Sequence, residues 1–273
     1  MKIALVTGST DGIGKQTATE LALLGYHVII HGKNRRKGEI TLEEIREKTG
    51  NRDLTLILSD LSSQKSIREM SGMLHKRFDH LDILINNAGT YQRKQNFSRD
   101  GYEMTFAVNH LSVYSLTLLL LDMLKKSEKG KIIIVSSIAH RNSPKIDFAD
   151  IQEINSYMDY SAYALSKLSN ILFTYELASK VKEMGISVNC LHPGVISTKL
   201  LYEGFGISGA SVEEGAGTSV FLAHSDKING VTGKYFTNKS ITESSPFSYN
   251  PEAAKNLWNL SENLTGISLP ENL

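Results

Sequence analysis

Two side chains in this sequence, Tyr163 and Lys167, have the types and the spacing to move a proton together. They stand four residues apart in a stretch with helical periodicity, so they share one face of a helix. A free tyrosine ionises near pH ~10 and rarely loses its proton at neutral pH. A neighbouring ammonium favours the phenolate, and ~1.4 kcal/mol of attraction makes ionisation tenfold easier, so the pair is expected to make Tyr163 a usable acid and base. The spacing alone is weak evidence. With 11 tyrosines among 273 residues, chance gives roughly one Tyr-x-x-x-Lys. A second copy, Tyr235 to Lys239, lies in a strand-like run, where residues four apart do not meet as they do on a helix.

The elements that must position the pair follow from the apolar pattern. Short β-branched runs, apolar on both faces, are expected as strands at Ile3–Val6, Val28–His31, Leu54–Leu58, Ile83–Ile85, Ile132–Ser136, Ser187–Leu191 and Gly233–Phe236. Helical patterns run over Ile13 to Leu24, Ser66 to Phe78, Glu103 to Lys126, Ser161 to Met184, Val212 to His224 and Pro251 to Leu260. This alternation predicts an α/β fold: a Rossmann-type, doubly wound parallel sheet of about seven strands, with helices on both faces, as a single domain over residues 1–273. At this length roughly three quarters of the unfolded surface can be buried. Two stretches resist the pattern. Ala139 to Tyr160 is polar and irregular, and Lys199 to Ala210 mixes glycine with large apolar residues. The second is expected to wall a substrate region over about 199–214, because exposed Leu, Tyr and Phe on a loop need something to cover.

The first strand runs into Thr7-Gly8-Ser9-Thr10-Asp11-Gly12-Ile13-Gly14 and then a helix. Glycines at 8, 12 and 14 let backbone approach a pyrophosphate, and the helix start offers free N–H groups and its positive dipole end. After the second strand come Lys33, Asn34, Arg35 and Arg36, with no acid before Glu39. A carboxylate there suits the 2′-hydroxyl of NAD, whereas Lys33 and Arg35 attract a 2′-phosphate, so NADP(H) is preferred over NAD(H). Lys33 is a point charge without arginine's bidentate fork, which weakens that contact. Further polar residues fall at strand ends or on the following helix: Asn86, Asn87, Ala88 and Gly89; Ser136 and Ser137; Asn109; Pro193, Gly194 and Thr198.

In their order, TGSTDGIG, NNAG, the Asn of the long helix, the Ser ending strand five, YALSK and HPGVIST resemble the signatures of the short-chain dehydrogenase/reductase family. Within it the chain is most similar to retinol dehydrogenase-like and carbonyl reductase-like members. The shared features are Gly32-Lys33-Asn34, the run Val135 to His140, the segment Lys167 to Phe173 and the run Gly230 to Phe236. The resemblance implies four catalytic positions. Tyr163 exchanges a proton with the substrate oxygen, Ser137 orients that oxygen, Lys167 holds the nicotinamide ribose and lowers the Tyr163 pKa, and Asn109 positions a water near Lys167. It also implies that Gly8, Ser9, Asp11, Gly12, Ile13 and Gly14 cradle the nucleotide. Asp60 and Leu61 would contact adenine, Asn87, Ala88 and Gly89 the ribose, and Pro193, Gly194 and Thr198 the nicotinamide end. The substrate is then an apolar carbonyl compound or alcohol. Relatives assemble as dimers or tetramers through the helix carrying Tyr163, a face that the long segment before it could block.

Composition narrows the classes. The chain is 41% hydrophobic with a net charge of +1 and no basic block, which argues against a nucleic-acid partner. The apolar stretch Leu118–Leu121 is far short of a membrane span. With a strand starting at Lys2, no signal peptide or N-terminal apolar anchor is expected, and a cytoplasmic protein is the simplest reading. The single cysteine, Cys190, reads as a buried strand residue. Eight histidines occur without His-Glu-x-x-His or Cys-x-x-Cys spacing, so no metal site is expected. His140, three residues past Ser137, is either a substrate contact or a loop residue. Two other readings compete: a catalytically silent NADP(H) sensor or scaffold on the same fold, and a C=C reductase like the light-dependent protochlorophyllide reductases.

Overall fold

The computed structural model describes residues 1–144, 146–148, 150–151 and 157–270. Eight strands form one sheet: β1 (Ile3–Val6), β2 (His27–Gly32), β3 (Leu54–Leu58), β4 (Ile83–Asn86), β5 (Lys131–Val135), β6 (Ser187–His192), β7 (Lys234–Thr237) and β8 (Ser240–Ile241). Their order is β3-β2-β1-β4-β5-β6-β7-β8. All neighbours are parallel except β7 and β8. The predicted doubly wound sheet is present, with one strand more than expected. The two-residue β8 escapes a periodicity search because it is exposed and pairs only through a tight turn, in which Asn238 and Lys239 take positive φ.

The helices are α1 (Gly12–Leu23), α2 (Arg35–Thr49), α3 (Gln64–Arg77), α4 (Met104–Phe106), α5 (Ser112–Leu119), α6 (Leu121–Lys125), α7 (Asp159–Lys180), α8 (Lys199–Phe205), α9 (Val212–His224) and α10 (Pro251–Thr265). One apolar cluster joins β1, β4 and β5 to α3, α5 and α7 on one side of the sheet, and another joins the strands to α1 and α9 on the other. The sheet is therefore covered on both faces, as its uninterrupted apolar strands require.

Three departures from the expected pattern bear on the site. Helix α2 leaves no apolar periodicity in the sequence, because its 15 residues are mostly charged and only Gly38, Thr41 and Ile45 are buried. Asn34 accepts from Lys37 N–H at 2.9 Å and caps it, so Arg35 opens a helix rather than a loop. The expected continuous helix Glu103–Lys126 is broken by a π-turn over Ala107–Leu111, with Asn109 at its centre. The stretch expected as a loop from Lys199 folds as α8, capped by Thr198, and α9 starts at Val212 as expected, where Ser211 and Glu214 form its capping box. The irregular stretch before Tyr163 lies partly outside the described residues, but Ile146 and Ile151 are buried against α7 and α10.

Candidate active site

The order of strands reverses between β1 and β4, and the motif residues converge there, at the carboxyl ends of the strands. Gly8 has φ +63°, and a Cβ on it would fall 2.9 Å from the Ala88 Cα. A Cβ on Gly14 would fall 2.4 Å from both Gly8 O and Asn87 Nδ2. These glycines therefore let the first turn close on the Asn87–Gly89 loop. Thr7, quoted in the motif but given no role, makes the closure: its Oγ1 accepts from Asn87 N–H at 2.9 Å and Ala88 N–H at 3.0 Å. Asp11 caps α1 by accepting from Gly12 N–H at 2.8 Å, and Thr198 Cγ2 would lie 3.3 Å from a Cβ on Gly12. Ile13 follows Gly12 in the first turn of the helix.

His31, which no sequence motif singles out, holds this turn from behind. Its Nδ1 lies 3.0 Å from Gly8 N–H, and its Nε2 lies 3.2 Å from Ser59 O. Burial depresses its pKa to about 4, so the ring is neutral: Nδ1 accepts and Nε2–H donates. The Ser9 hydroxyl donates to Val6 O at 2.7 Å and accepts from His31 N–H at 2.9 Å, so this side chain braces β1 against β2.

At the second strand end, Lys33, Asn34 and Arg35 are exposed around the start of α2. The helix adds its positive dipole end to the two cations. Arg35 lies 3.6 Å from Glu39, and Lys37 pairs with Asp11 at 2.6 Å. Asp60 is held below the usual carboxylate range. Burial acts upward, and it is outweighed by the backbone and hydroxyl of Ser62 together with the charges of Lys33 and Arg99. Leu61, beside it, is buried.

The proposed chemical residues meet between β4, β5 and α7. Adjacent residues at the end of a strand point to opposite sides. Ser136 Oγ donates to the Lys167 carbonyl at 2.7 Å and faces the core. Ser137 faces Tyr163, near enough to its phenol to stabilise the ionised form. That physical difference distinguishes the two serines. Lys167 Nζ sits 5.5 Å from the Tyr163 ring centre and donates to Val135 O at 3.1 Å. A Cβ on Gly89 would lie 3.5 Å from both Lys167 Nζ and Asn109 Oδ1, so the loop passes at contact distance from these two side chains. Asn109 Oδ1 accepts from Thr90 N–H at 2.7 Å, and its amide donates to Thr90 O and Ser166 Oγ, each at 3.0 Å.

The electrostatics correct one expectation. Burial raises the Tyr163 pKa to about 12, against the opposing effect of Ser137, and burial lowers that of Lys167 to about 8. Burial is the largest influence on both groups, so the phenol keeps its proton at neutral pH.

A family model described as short chain dehydrogenase matches residues 2–204. The chain belongs to the short-chain dehydrogenase family. Among its relatives, human retinol dehydrogenase 13 is 38% identical, over 98% of this chain and 86% of its own length. A solved structure of an uncharacterized protein from Mycobacterium paratuberculosis superposes with a TM-score of 0.83 at 28% identity, covering 99% of this chain and 95% of its own. A putative short chain dehydrogenase from Shigella flexneri, complexed with NADP, superposes with a TM-score of 0.72 at 25% identity, covering 88% of this chain and 97% of its own. This short-chain dehydrogenase is thus an oxidoreductase that acts on alcohol or carbonyl groups with NAD(P).

Aromatic side chains surround Tyr163 in this dehydrogenase. Tyr91, Tyr160, Leu200 and Phe205 pack around Tyr163 and Ala164. Phe205 lies 4.7 Å from the Tyr91 ring and 5.9 Å from the Tyr163 ring, centre to centre. Gly204 permits the contact, since a Cβ there would fall 3.2 Å from the Tyr91 ring. Nothing in the sequence picks out Tyr91 and Tyr160, although Tyr91 stands two residues past Gly89. Tyr202, on the same helix as Phe205, is 73% exposed, so α8 covers the site with only one face. His140 is buried and bonded to backbone through both ring nitrogens. Its Nδ1 lies 2.6 Å from Ser137 O and its Nε2 accepts from Ser245 N–H at 3.0 Å, both below the surface. Ile138 N–H donates to His192 Nδ1 at 3.2 Å, so two imidazoles hold the turn that presents Ser137. Cys190 is buried as expected, and burial pushes its thiol pKa up to about 12. Among the described residues, no group of three metal-ligating side chains gathers, and no helix is long and apolar enough to cross a membrane.

Proposed function

We propose that this dehydrogenase interconverts an apolar carbonyl compound and its alcohol with NADP(H), using Tyr163 as the acid and base. The observation that carries the reading is the convergence of the Tyr163 phenol, the Ser137 hydroxyl and the Lys167 ammonium beneath an aromatic cover. The backbone N–H groups at the start of α1 and the Gly8–Gly14 turn fit a dinucleotide. NADP(H), when bound, supplies or accepts the hydride.

Tyr163, protonated at neutral pH, donates to the substrate oxygen when a carbonyl is reduced, and takes the proton back in the reverse direction. Ser137 donates a hydrogen bond that orients the same oxygen. Lys167 holds the ribose and keeps a positive charge beside the phenol, and Asn109 positions a water next to Lys167. Gly8, Ser9, Asp11, Gly12, Ile13 and Gly14 cradle the pyrophosphate. Asp60 and Leu61 border the adenine, Asn87, Ala88 and Gly89 the ribose, and Pro193, Gly194 and Thr198 the nicotinamide. Lys33, Asn34 and Arg35 at the start of α2 favour the 2′-phosphate, hence NADP(H) over NAD(H). Tyr91, Tyr160, Leu200 and Phe205 favour an apolar substrate, and a cytoplasmic location belongs to the same reading.

The test is Tyr163→Phe, assayed on aldehydes, ketones and quinones with NADPH and with NADH. Turnover should fall at least about a hundredfold, while NADPH binding, followed by its fluorescence, stays within about twofold. Turnover close to wild type in that variant would sink the mechanism.

A further inference from the structure

Asn109 stands at the centre of the π-turn, where Ser112 N–H reaches back five residues to Ala107 O. Its main-chain carbonyl accepts from Asn170 Nδ2 at 2.8 Å. Asn170 Oδ1 then lies 3.3 Å from His110 Nδ1, and His110 Nε2 lies 2.9 Å from Ser261 Oγ on α10. All four residues are at most 1% exposed. The apolar side chains Phe106, Leu111, Leu168, Leu172 and Leu257 belong to the core cluster around them.

The direction of this chain follows from elimination. The Asn170 amide nitrogen serves the Asn109 carbonyl, so its oxygen faces His110. Burial keeps His110 neutral, with a pKa near 4, so the ring has one N–H only. Nδ1 must carry it to bond Asn170 Oδ1, which leaves Nε2 as an acceptor. The Ser261 hydroxyl has one proton and two acceptors in reach, Leu257 O at 2.8 Å and Nε2 at 2.9 Å; the carbonyl lies one helical turn back, where the Ser261 backbone N–H serves it, so the hydroxyl proton is assigned to Nε2. Each donor thus points one step closer to Asn109. Aligned bonds of this kind strengthen one another in a low-dielectric interior.

Burying four polar groups in an apolar layer is costly unless all are satisfied, and a purely apolar layer would hold α10 as well. Helix α10 is also fastened at its far end: Tyr102 OH donates to Leu264 O, Arg68 to Thr265 O at 2.7 Å and Tyr114 OH to Ile267 O at 3.0 Å. This helix lies beyond the residues 2–204 that the family model matches.

We propose that Ser261, His110 and Asn170 are positioning residues for Asn109, through which the C-terminal helix sets the geometry of the residue beside Lys167. The inference rests on the roles proposed above for Tyr163, Lys167 and Asn109. Ser261→Ala removes the first donor, and Asn170→Asp keeps the shape but cannot donate to the Asn109 carbonyl. His110→Phe keeps the aromatic packing against Phe106 and Phe173 while removing both nitrogens.

Each variant should lower kcat about tenfold, with the KM for NADPH within about twofold. The pH profile of kcat should move by about half a pH unit or more, which a loss of folded protein does not produce. Ser261→Thr, which keeps a hydroxyl, should return both to near wild type. Amide hydrogen exchange gives a readout independent of turnover: in Ser261→Ala, residues 107–111 should exchange at least about fivefold faster. Unchanged protection there overturns the inference, even if no substrate is ever found. Wild-type turnover with all variants unaffected in kcat and pH profile overturns it too. An inactive wild type would instead sink the reading of the site.

Discussion

The two halves of the site are built by different physics. The half proposed for the nucleotide, from Gly8 to Gly14 and Asn87 to Gly89, is held by backbone: close approaches that only glycine permits, and backbone N–H groups that donate to Thr7 and His31. The half proposed for the substrate is held by side-chain contact, with Phe205, Tyr91 and Tyr160 packed around Tyr163. Backbone closure is all or nothing, because a Cβ 2.4 Å from Gly8 O cannot be accommodated without moving the turn. Aromatic contact is graded and can be exchanged for a ligand of similar character.

The sharpest way to break this contrast is to put a methyl group where the nucleotide half has none. Gly14→Ala should cost about 3 kcal/mol through overpacking, and NADPH affinity should fall about a hundredfold. A fluorescence titration and a melting curve read both effects, and unaltered affinity would show the turn to be as adaptable as the substrate side. Removing the two cations at the start of α2 is next in size. Lys33→Ala combined with Arg35→Ala should shift the preference for NADPH over NADH by about tenfold, since ~1.4 kcal/mol is the scale of one order in affinity. An unchanged ratio of kcat/KM values would assign the preference elsewhere.

The substrate half should respond less and only in its own terms. Phe205→Ala should alter the KM for the carbonyl substrate about fivefold, near the ~1 kcal/mol of an aromatic pair, and leave NADPH binding alone. A change in nucleotide affinity would show that the halves are coupled through α8.

The smallest effect concerns pH. His31, in the nucleotide half, and His192, behind Ser137, both have pKa values depressed to about 4, chiefly by burial. Unfolding returns them to ~6.5, so the unfolded chain binds more protons below that pH. Their neutral rings therefore contribute stability that is present above pH ~6.5 and lost as pH falls toward about 4. The melting temperature should drop by several degrees between pH 7 and pH 5. A flat profile there would mean that the rings are not buried neutral.

Much of the molecule is legible without the structure. The seven longer strands stand within a residue or so of the expected places, because an apolar β-branched run buried on both faces leaves a short-range record. Helix α2 leaves none, as only three of its residues are buried. The π-turn is invisible for another reason. Its residues have ordinary helical character, and the extra residue per turn is sustained by partners far along the chain, among them Asn170 at a separation of 61.

By itself the sequence determined the doubly wound fold, the glycine turn and the Tyr163–Lys167 pairing. These depend on periodicity and on residues at most a few positions apart. Tertiary structure decided that Ser136 faces the core while Ser137 faces the phenol, and that burial raises the Tyr163 pKa. It also decided that His140 supports Ser137 from behind, and that a serine 151 residues from His110 joins the network around Asn109. Direction and desolvation belong to the packed interior, where each group's energy is set by neighbours that the chain brings in from far away.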